Sequence, residues 1–196
     1  MKGAERNGRL VMIVGPSGAG KDSLIDYARE RLSDDQVHFV RRTVTRPPSP
    51  GEDHNPMTAD DFKVAALHGA FALHWGAHGL YYGLPVTIDD LLRDNKVVVA
   101  NGSRLILPAA NSRYPRLQIV SVRADPKVLA ARLKARGRET SKAQEARLAR
   151  SAPAAVDIEG TFVIENSGDL SVAGNRLIDL LVSRSGETIR SQTPLR

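Results

Sequence analysis

The chemistry in this chain of 196 residues is densest at Gly15-Pro16-Ser17-Gly18-Ala19-Gly20-Lys21, a G-x-x-x-x-G-K segment directly after an apolar run at residues 10–14. Between a strand and a helix, this pattern is a phosphate cradle. The glycines let backbone N–H groups curl around a β-phosphate, and the start of the helix adds its dipole. Lys21 reaches the β- and γ-phosphates as a point charge. The next position departs from the usual motif: where Ser or Thr normally offers a hydroxyl to Mg²⁺, the chain has Asp22, followed by Ser23. A carboxylate is also a hard oxygen ligand for Mg²⁺, and beside phosphates it is tolerable only with a cation present. Its other possible task is to stabilise the first helical turn through the dipole.

The charge pattern suits such a site. Lys and Arg number 28 against 22 Asp and Glu, for a net charge of +6. The arginines concentrate at residues 41–46 and 132–150, and aromatic residues make up only 5% of the chain. A basic protein is open to reading as a nucleic-acid binder. Two separate arginine clusters with few aromatics argue instead for small, highly charged phosphates. The absence of cysteine excludes disulfides, zinc–thiolate and iron–sulfur sites and a Cys nucleophile. The apolar run at residues 10–14 is too short for a membrane span or a signal-peptide core, so the expectation is a cytoplasmic protein without a membrane partner.

The elements that must position these residues alternate. Strand-like apolar runs occur at residues 10–14, 37–40, 97–100, 117–122 and 161–164, with helical patterns between them. Leu24, Ala28 and Leu32 share a helix face with Ile25 beside them. Asp125-Pro126 reads as an N-cap with proline at the first helical position, Ser141 to Gln144 as a capping box, and Asp169 as the cap of a last helix. Alternation of this kind implies an α/β fold with a parallel sheet covered on both faces. Residues 42–56 break it with a loop, followed by a short helix and the stretch FALHWGAHGLYYGLP, an insertion fit to carry a substrate.

In order and context, GPSGAGK, TRPPSPGE, the Tyr81-Tyr82-Gly83 segment and RLKARGRET…ARL resemble guanylate kinases over residues 9–182. The resemblance implies a P-loop nucleoside-monophosphate-kinase-like fold in one domain. Its core would cover about 9–41, 85–130 and 153–183, its acceptor-binding insertion about 42–84 and its helical lid about 131–152, with residues 184–196 as a polar tail. It further implies that residues 15–23 and Asn166 bind ATP and that Arg46 and Tyr82 hold the acceptor phosphate. Lys21, Arg136 and Arg147 would carry catalysis, the two arginines closing over the transferred group from the lid.

The departures from that pattern are informative. Guanylate kinases carry a second arginine where this chain has Ser49, and a guanine-reading Glu where it has His74 before Trp75. Their L-D-x-D strand end becomes Val99-Ala100-Asn101-Gly102-Ser103-Arg104. Carboxylates select guanine by accepting from its ring N–H and amino groups, and here they are missing. GKDS, the W-x-x-x-G-L-Y-Y-G segment at residues 75–83 and VANGSR together resemble the ribose 1,5-bisphosphate phosphokinases of bacterial phosphonate utilisation. This implies ATP-dependent phosphorylation of the acceptor's 1-phosphate to give 5-phosphoribosyl 1-diphosphate.

Several residues keep two readings. His74 replaces a specificity residue and is expected to touch substrate; His78 and Trp75 are expected to be structural. Arg104, at the carboxyl end of a strand, is expected to hold a substrate phosphate or to be solvated on the next helix. Asn101 and Ser103 are either substrate contacts or helix caps. Arg132 is either a lid neighbour or a solvated helix residue. If Tyr81-Tyr82 is extended, one ring is core and the other faces the site. The alternative functions are a true guanylate kinase and a non-catalytic guanylate-kinase-like binding module.

Overall fold

All six residues of β1 (Arg9–Val14) are buried, as a continuous apolar run requires when a strand is covered on both faces. The computed structural model describes residues 8–33, 35, 37–48, 52–135, 158 and 160–183. In chain order β1 is followed by α1 (Lys21–Arg29), β2 (Val37–Val40), β3 (Thr43–Val44), β4 (Asn55–Pro56), α2 (Ala59–Leu67), β5 (Phe71–Ala77) and β6 (Leu80–Pro85). Then come α3 (Ile88–Arg93), β7 (Val97–Asn101), a 3-10 turn (Arg104–Ile106), α4 (Leu107–Arg113), β8 (Gln118–Arg123), α5 (Pro126–Ala135), β9 (Phe162–Glu165) and α6 (Leu170–Val182). The core sheet has five strands in the order β2-β7-β1-β8-β9, and every pairing in it is parallel.

Side chains of β1 alternate between two apolar layers, as the period of a strand demands. Val11 and Ile13 pack with Leu24, Ile25 and Ala28 of α1 and with Ala173, Leu177 and Leu181 of α6. Leu10, Met12 and Val14 face the other way, onto Ile88, Leu107 and Ala110. Leu73, Trp75 and Leu84 join this second layer, so the small sheet of order β4-β3-β6-β5 is seated on the same core. β5 and β6 form a hairpin whose turn residues His78 and Gly79 both have positive φ, 54° and 73°. Such turns match the twist of the flanking strands. Trp75 is core, as expected, and His78 is a turn residue.

Strand ends extend into polar sequence where a ladder partner exists. Arg9 pairs with Val97, Asn101 with Ile13, and Arg123 with Glu165. Leu117, expected in a strand, instead donates its N–H to the Tyr114 carbonyl in a turn, 3.0 Å, and β8 begins one residue later. The helix starts follow the sequence. Asp125 Oδ1 accepts from Lys127 N at 2.8 Å, and Asp169 Oδ1 accepts from Ser171 N at 2.7 Å. The Ser141–Gln144 capping box and the 184–196 tail lie outside the described residues.

One buried cation closes the fold. Arg9 donates to the carbonyls of Leu180, Leu181 and Ser183 at 2.8–3.0 Å, satisfying the C-terminal end of α6 from the first strand. Arg9→Met should therefore lower stability by about 1.5–3 kcal/mol, a Tm drop of roughly 3–10 °C. Thermal unfolding checks this, and an unchanged Tm would mean that the carbonyls find other partners.

Candidate active site

The carboxyl ends of β1, β2 and β7 face the phosphate loop, at the place where strand order reverses and open α/β sheets bind ligands. Backbone proximity explains the loop's glycines. A Cβ on Gly15 would lie 2.3 Å from the Val122 carbonyl oxygen, and one on Gly20 would lie 2.3 Å from Asn166 Nδ2. Both also have positive φ, 149° and 87°, which disfavours other residues. Ala19 N donates to Pro16 O at 3.3 Å, and Leu24 N to Gly20 O at 3.0 Å as the helix begins. Lys21 Nζ donates to the Gly15 and Pro16 carbonyls at 2.8 and 2.9 Å, which sets its ammonium across the loop. Ser17 and Gly18 complete the turn, and Ser23 is exposed on α1. The glycines thus let the loop lie close against Val122 and Asn166, and a loop of this backbone shape at a helix start fits a phosphate bound by backbone amides.

Asp22 is fixed by β7. Its Oδ1 accepts a 2.6 Å hydrogen bond from Asn101 Nδ2. Asn101 is therefore neither a helix cap nor a free polar side chain: it is 7% exposed and tethers the first turn of α1 to the sheet. Ser103 is the cap, its Oγ accepting from Leu105 N at 3.3 Å to start the 3-10 turn that carries Arg104. Among the described residues no group of three or more His, Asp or Glu could hold a metal. A divalent cation at Asp22 would thus be shared with phosphate oxygens, as is usual for Mg²⁺.

On the acceptor side, Arg46 Nη2 pairs with Glu52 Oε2 at 2.5 Å, and the Arg46 carbonyl lies 3.0 Å from Nε2 of the buried His54. Tyr82 stacks on Trp75, centroids 5.4 Å apart and planes 9° apart, while Tyr81 stacks on Phe62. The two tyrosines thus point to opposite faces. His74 lies on the same face as Tyr81, its ring 6.4 Å from those of Phe62 and Phe71. In the strand pairing it is opposite Gly83, one step away from the Trp75–Tyr82 pair. The structure therefore does not bring His74 together with Tyr82, because adjacent strand residues face opposite ways.

Asn166, expected to bind ATP, donates from Nδ2 to Ala19 O at 2.7 Å and is 2% exposed, so it braces the phosphate loop from beneath. Arg132 is not a solvated helix residue. Its Nη1 is buried without a hydrogen-bond partner among the described residues and would lie 3.6 Å from a Cβ on Gly20. Arg136, Arg147 and Ser49 lie outside the described residues.

The AAA domain family matches residues 11–152. The chain is 47% identical to ribose 1,5-bisphosphate phosphokinase PhnN of Chelativorans sp. (strain BNC1) over 179 residues, 90% of this chain and 86% of that protein. It is 48% identical to the protein of the same name from Burkholderia pseudomallei (strain K96243), over 88% of this chain and 95% of that one. The chain belongs to the ribose 1,5-bisphosphate phosphokinase family. Its fold is that of a solved guanylate kinase from Anaplasma phagocytophilum, with TM-score 0.60 and 15% identity over 90% of this chain and 85% of that one. The parallel α/β fold expected of a P-loop kinase is the fold observed.

The sequence reading of this phosphokinase-family chain missed Arg42, Glu52 and the tethering role of Asn101. Arg42 is the second residue past the end of β2, and its place near a carboxyl strand end is the signal that could have found it, the same signal that singled out Arg104. Its Nη1 donates to the Asn101 carbonyl at 3.3 Å, and its guanidinium lies 5.5 Å from the Tyr82 ring centroid.

The brace under the loop gives a pH-dependent test. Asn166→Ala removes one neutral hydrogen bond and should cost about 0.5–1.5 kcal/mol. Asn166→Asp should cost more at pH 7, where an ionised carboxylate faces the Ala19 carbonyl with no proton to donate. Burial raises the folded pKa of such a group, so its penalty should shrink as pH falls and the donor proton returns. Urea unfolding of both variants at pH 7 and pH 4.5 checks this; a pH-independent Asn166→Asp penalty would contradict the brace.

Proposed function

We propose that the chain transfers the γ-phosphoryl group of ATP to the 1-phosphate of ribose 1,5-bisphosphate, giving 5-phosphoribosyl 1-diphosphate and ADP. The observation that carries this reading is one continuous polar line at the sheet's carboxyl edge. It runs from Lys21 and Asp22 at the start of α1, through Asn101, to Arg42, whose guanidinium is surrounded by Tyr82 and the Arg46–Glu52 pair. Family membership supports the choice of acceptor.

The attacking oxygen belongs to a phosphate already ionised near neutral pH, so the site needs no strong general base. An acceptor oxygen forms a bond to the γ-phosphorus while the bond to the β,γ-bridging oxygen breaks, and ADP leaves. Catalysis is then positioning plus charge neutralisation. In this reading the amides of residues 15–20 and Lys21 hold the nucleotide phosphates, Asn166 keeps the loop in shape, and Arg46 and Tyr82 hold the acceptor. Arg104 faces the acceptor from the strand end, and Arg136 and Arg147 close from a lid at about residues 131–152. Mg²⁺ neutralises phosphate charge when bound, and Asp22 is the residue that would hold it. His74, exposed on the face of β5 opposite Tyr82, would touch the acceptor only from the side that carries Phe62 and Tyr81. The substrates are small molecules, and we place the enzyme in the cytoplasm, where ATP is available. No described helix is long and apolar enough to cross a membrane.

Acceptor specificity tests this reading. Ribose 1,5-bisphosphate should be phosphorylated far faster than GMP, with Arg46→Ala raising the acceptor KM about 10- to 100-fold, the cost of one charge-assisted phosphate contact. Comparable rates with GMP would establish a guanylate kinase, and no turnover of either would leave a binding module.

Asp22 has its own test, a Mg²⁺ titration of kcat beside melting curves. Asp22→Ala should raise the Mg²⁺ requirement and lower kcat, Asp22→Asn should be partly impaired, and Asp22→Ser should outperform Ala by restoring a hydroxyl. If Asp22 serves only the helix dipole, all three lose about 0.3–1 kcal/mol of stability and their Mg²⁺ curves coincide with wild type.

A further inference from the structure

Arg42 differs from the other arginines of its neighbourhood in what surrounds it. Arg29, Arg41 and Arg46 each sit on a carboxylate: Asp26 and Asp53 for Arg29, Asp53 for Arg41, Glu52 for Arg46. Among the described residues Arg42 has no carboxylate partner. It has one long hydrogen bond, to the Asn101 carbonyl at 3.3 Å, and the face of Tyr82. Most of its N–H donors are unused.

The charged and titratable groups around it come from both sides of the site. Asp22 faces it from α1, Tyr82 from β6, and Glu52 and Arg46 from the segment between β3 and β4. Both carboxylates are already engaged, Asp22 by Asn101 Nδ2 and Glu52 by Arg46. Burial holds the Arg42 pKa below the ordinary arginine value, opposed chiefly by Asp22. Arg42 is half-buried, and a partly desolvated cation without an anion is unfavourable for the folded chain. Such a cation gains most when an anion with several oxygens meets its planar fork, and a phosphate is that anion.

We propose that Arg42 is a second phosphate-binding residue of the acceptor pocket, whose guanidinium takes a phosphate group of the sugar bisphosphate beside the contact assigned to Arg46. The assignment rests on the proposed function and adds a residue to it. Two cations of different kinds then serve the acceptor. Arg46 is held in place by Glu52, while Arg42 is held by a carbonyl and a ring that leave its charge uncancelled.

The test uses the full-length chain as wild type, Arg42→Met and Arg42→Lys, with steady-state kinetics on ribose 1,5-bisphosphate and on ribose 1-phosphate. Arg42→Met should raise the KM for the bisphosphate about 10- to 100-fold and leave the ATP KM within about twofold. Arg42→Lys should recover part of the loss, because an ammonium keeps the charge but not the fork. Without substrates the Met variant should melt no lower than wild type, since a partly desolvated charge with no carboxylate partner among the described residues has been removed. Its Tm rise on adding ribose 1,5-bisphosphate should shrink. The ribose 1-phosphate arm assigns the phosphate: a penalty that vanishes there places Arg42 on the 5-phosphate, and one that persists places it on the 1-phosphate. An unchanged bisphosphate KM with a lowered Tm would make Arg42 a packing residue and overturn the proposal, as would an equal rise in the ATP KM. A wild-type enzyme that does not phosphorylate ribose 1,5-bisphosphate would sink the proposed function, and this assignment with it. Normal wild-type turnover with an unaffected Met variant would sink the assignment alone.

Discussion

The hydrogen bond from Asn101 Nδ2 to Asp22 Oδ1, 2.6 Å long, joins the two halves of the site to one strand end. β7 lies between β1 and β2, so its last residue meets the helix that follows β1 and the loop that follows β2. The side chain of Asn101 fixes Asp22 and its carbonyl receives Arg42. A neutral amide orients the carboxylate without cancelling its charge. A lysine or arginine at position 101 would hold Asp22 as firmly but would neutralise it, and a neutralised carboxylate has little to offer a divalent cation. The geometry of the loop and the charge at its edge thus depend on one polar residue in an otherwise apolar strand.

Electrostatics in the rest of the site follows from the problem of assembling several phosphates. Cations are needed, yet cations close together repel and resist burial. The chain meets this by pairing most of them: Arg46 with Glu52, Arg41 with Asp53, Arg29 with Asp26 and Asp53. Glu52 is more buried than the arginine it holds, with side-chain exposures of 9% and 28%. The carboxylate is therefore the fixed member of the pair and the guanidinium the member turned toward solvent. Charges held this way need little rearrangement when a phosphate arrives, which is the requirement for stabilising charge during phosphoryl transfer.

The legible parts of this protein were local in sequence. The phosphate loop, the caps at Asp125 and Asp169, the face of α1 and the five core strands each show within a few residues. Residues 22, 42 and 101 form the junction of the site only because the sheet order β2-β7-β1 brings three distant segments to one edge. Strand order is not written in any window of sequence, so Asn101 reads as a substrate contact or a helix cap and Arg42 as one arginine among several. His74 lies apart from Tyr82 for a different reason. Side-chain direction alternates along a strand, and His74 of β5 is opposite Gly83 while its neighbour Trp75 is opposite Tyr82. One step of parity therefore separates His74, beside Phe62 of α2 and Phe71 of β5, from the ring of Tyr82.

That parity also bears on how the proposed acceptor is chosen. Reading a purine edge takes carboxylate acceptors aimed into the pocket, and the face of the small sheet toward Arg42 presents aromatic and cationic groups instead: Trp75 under Tyr82, and the Arg42 guanidinium over the same Tyr82 ring. The carboxylates nearby, Asp22 and Glu52, are both turned onto partners within the protein. A base placed there would leave its ring N–H and amino donors facing cations, an unpaired arrangement that costs more than a missing favourable contact. Discrimination in this reading comes from rejecting buried donors as much as from attracting a second phosphate. It needs no residue dedicated to recognising ribose, only a pocket in which the uncancelled charge is positive.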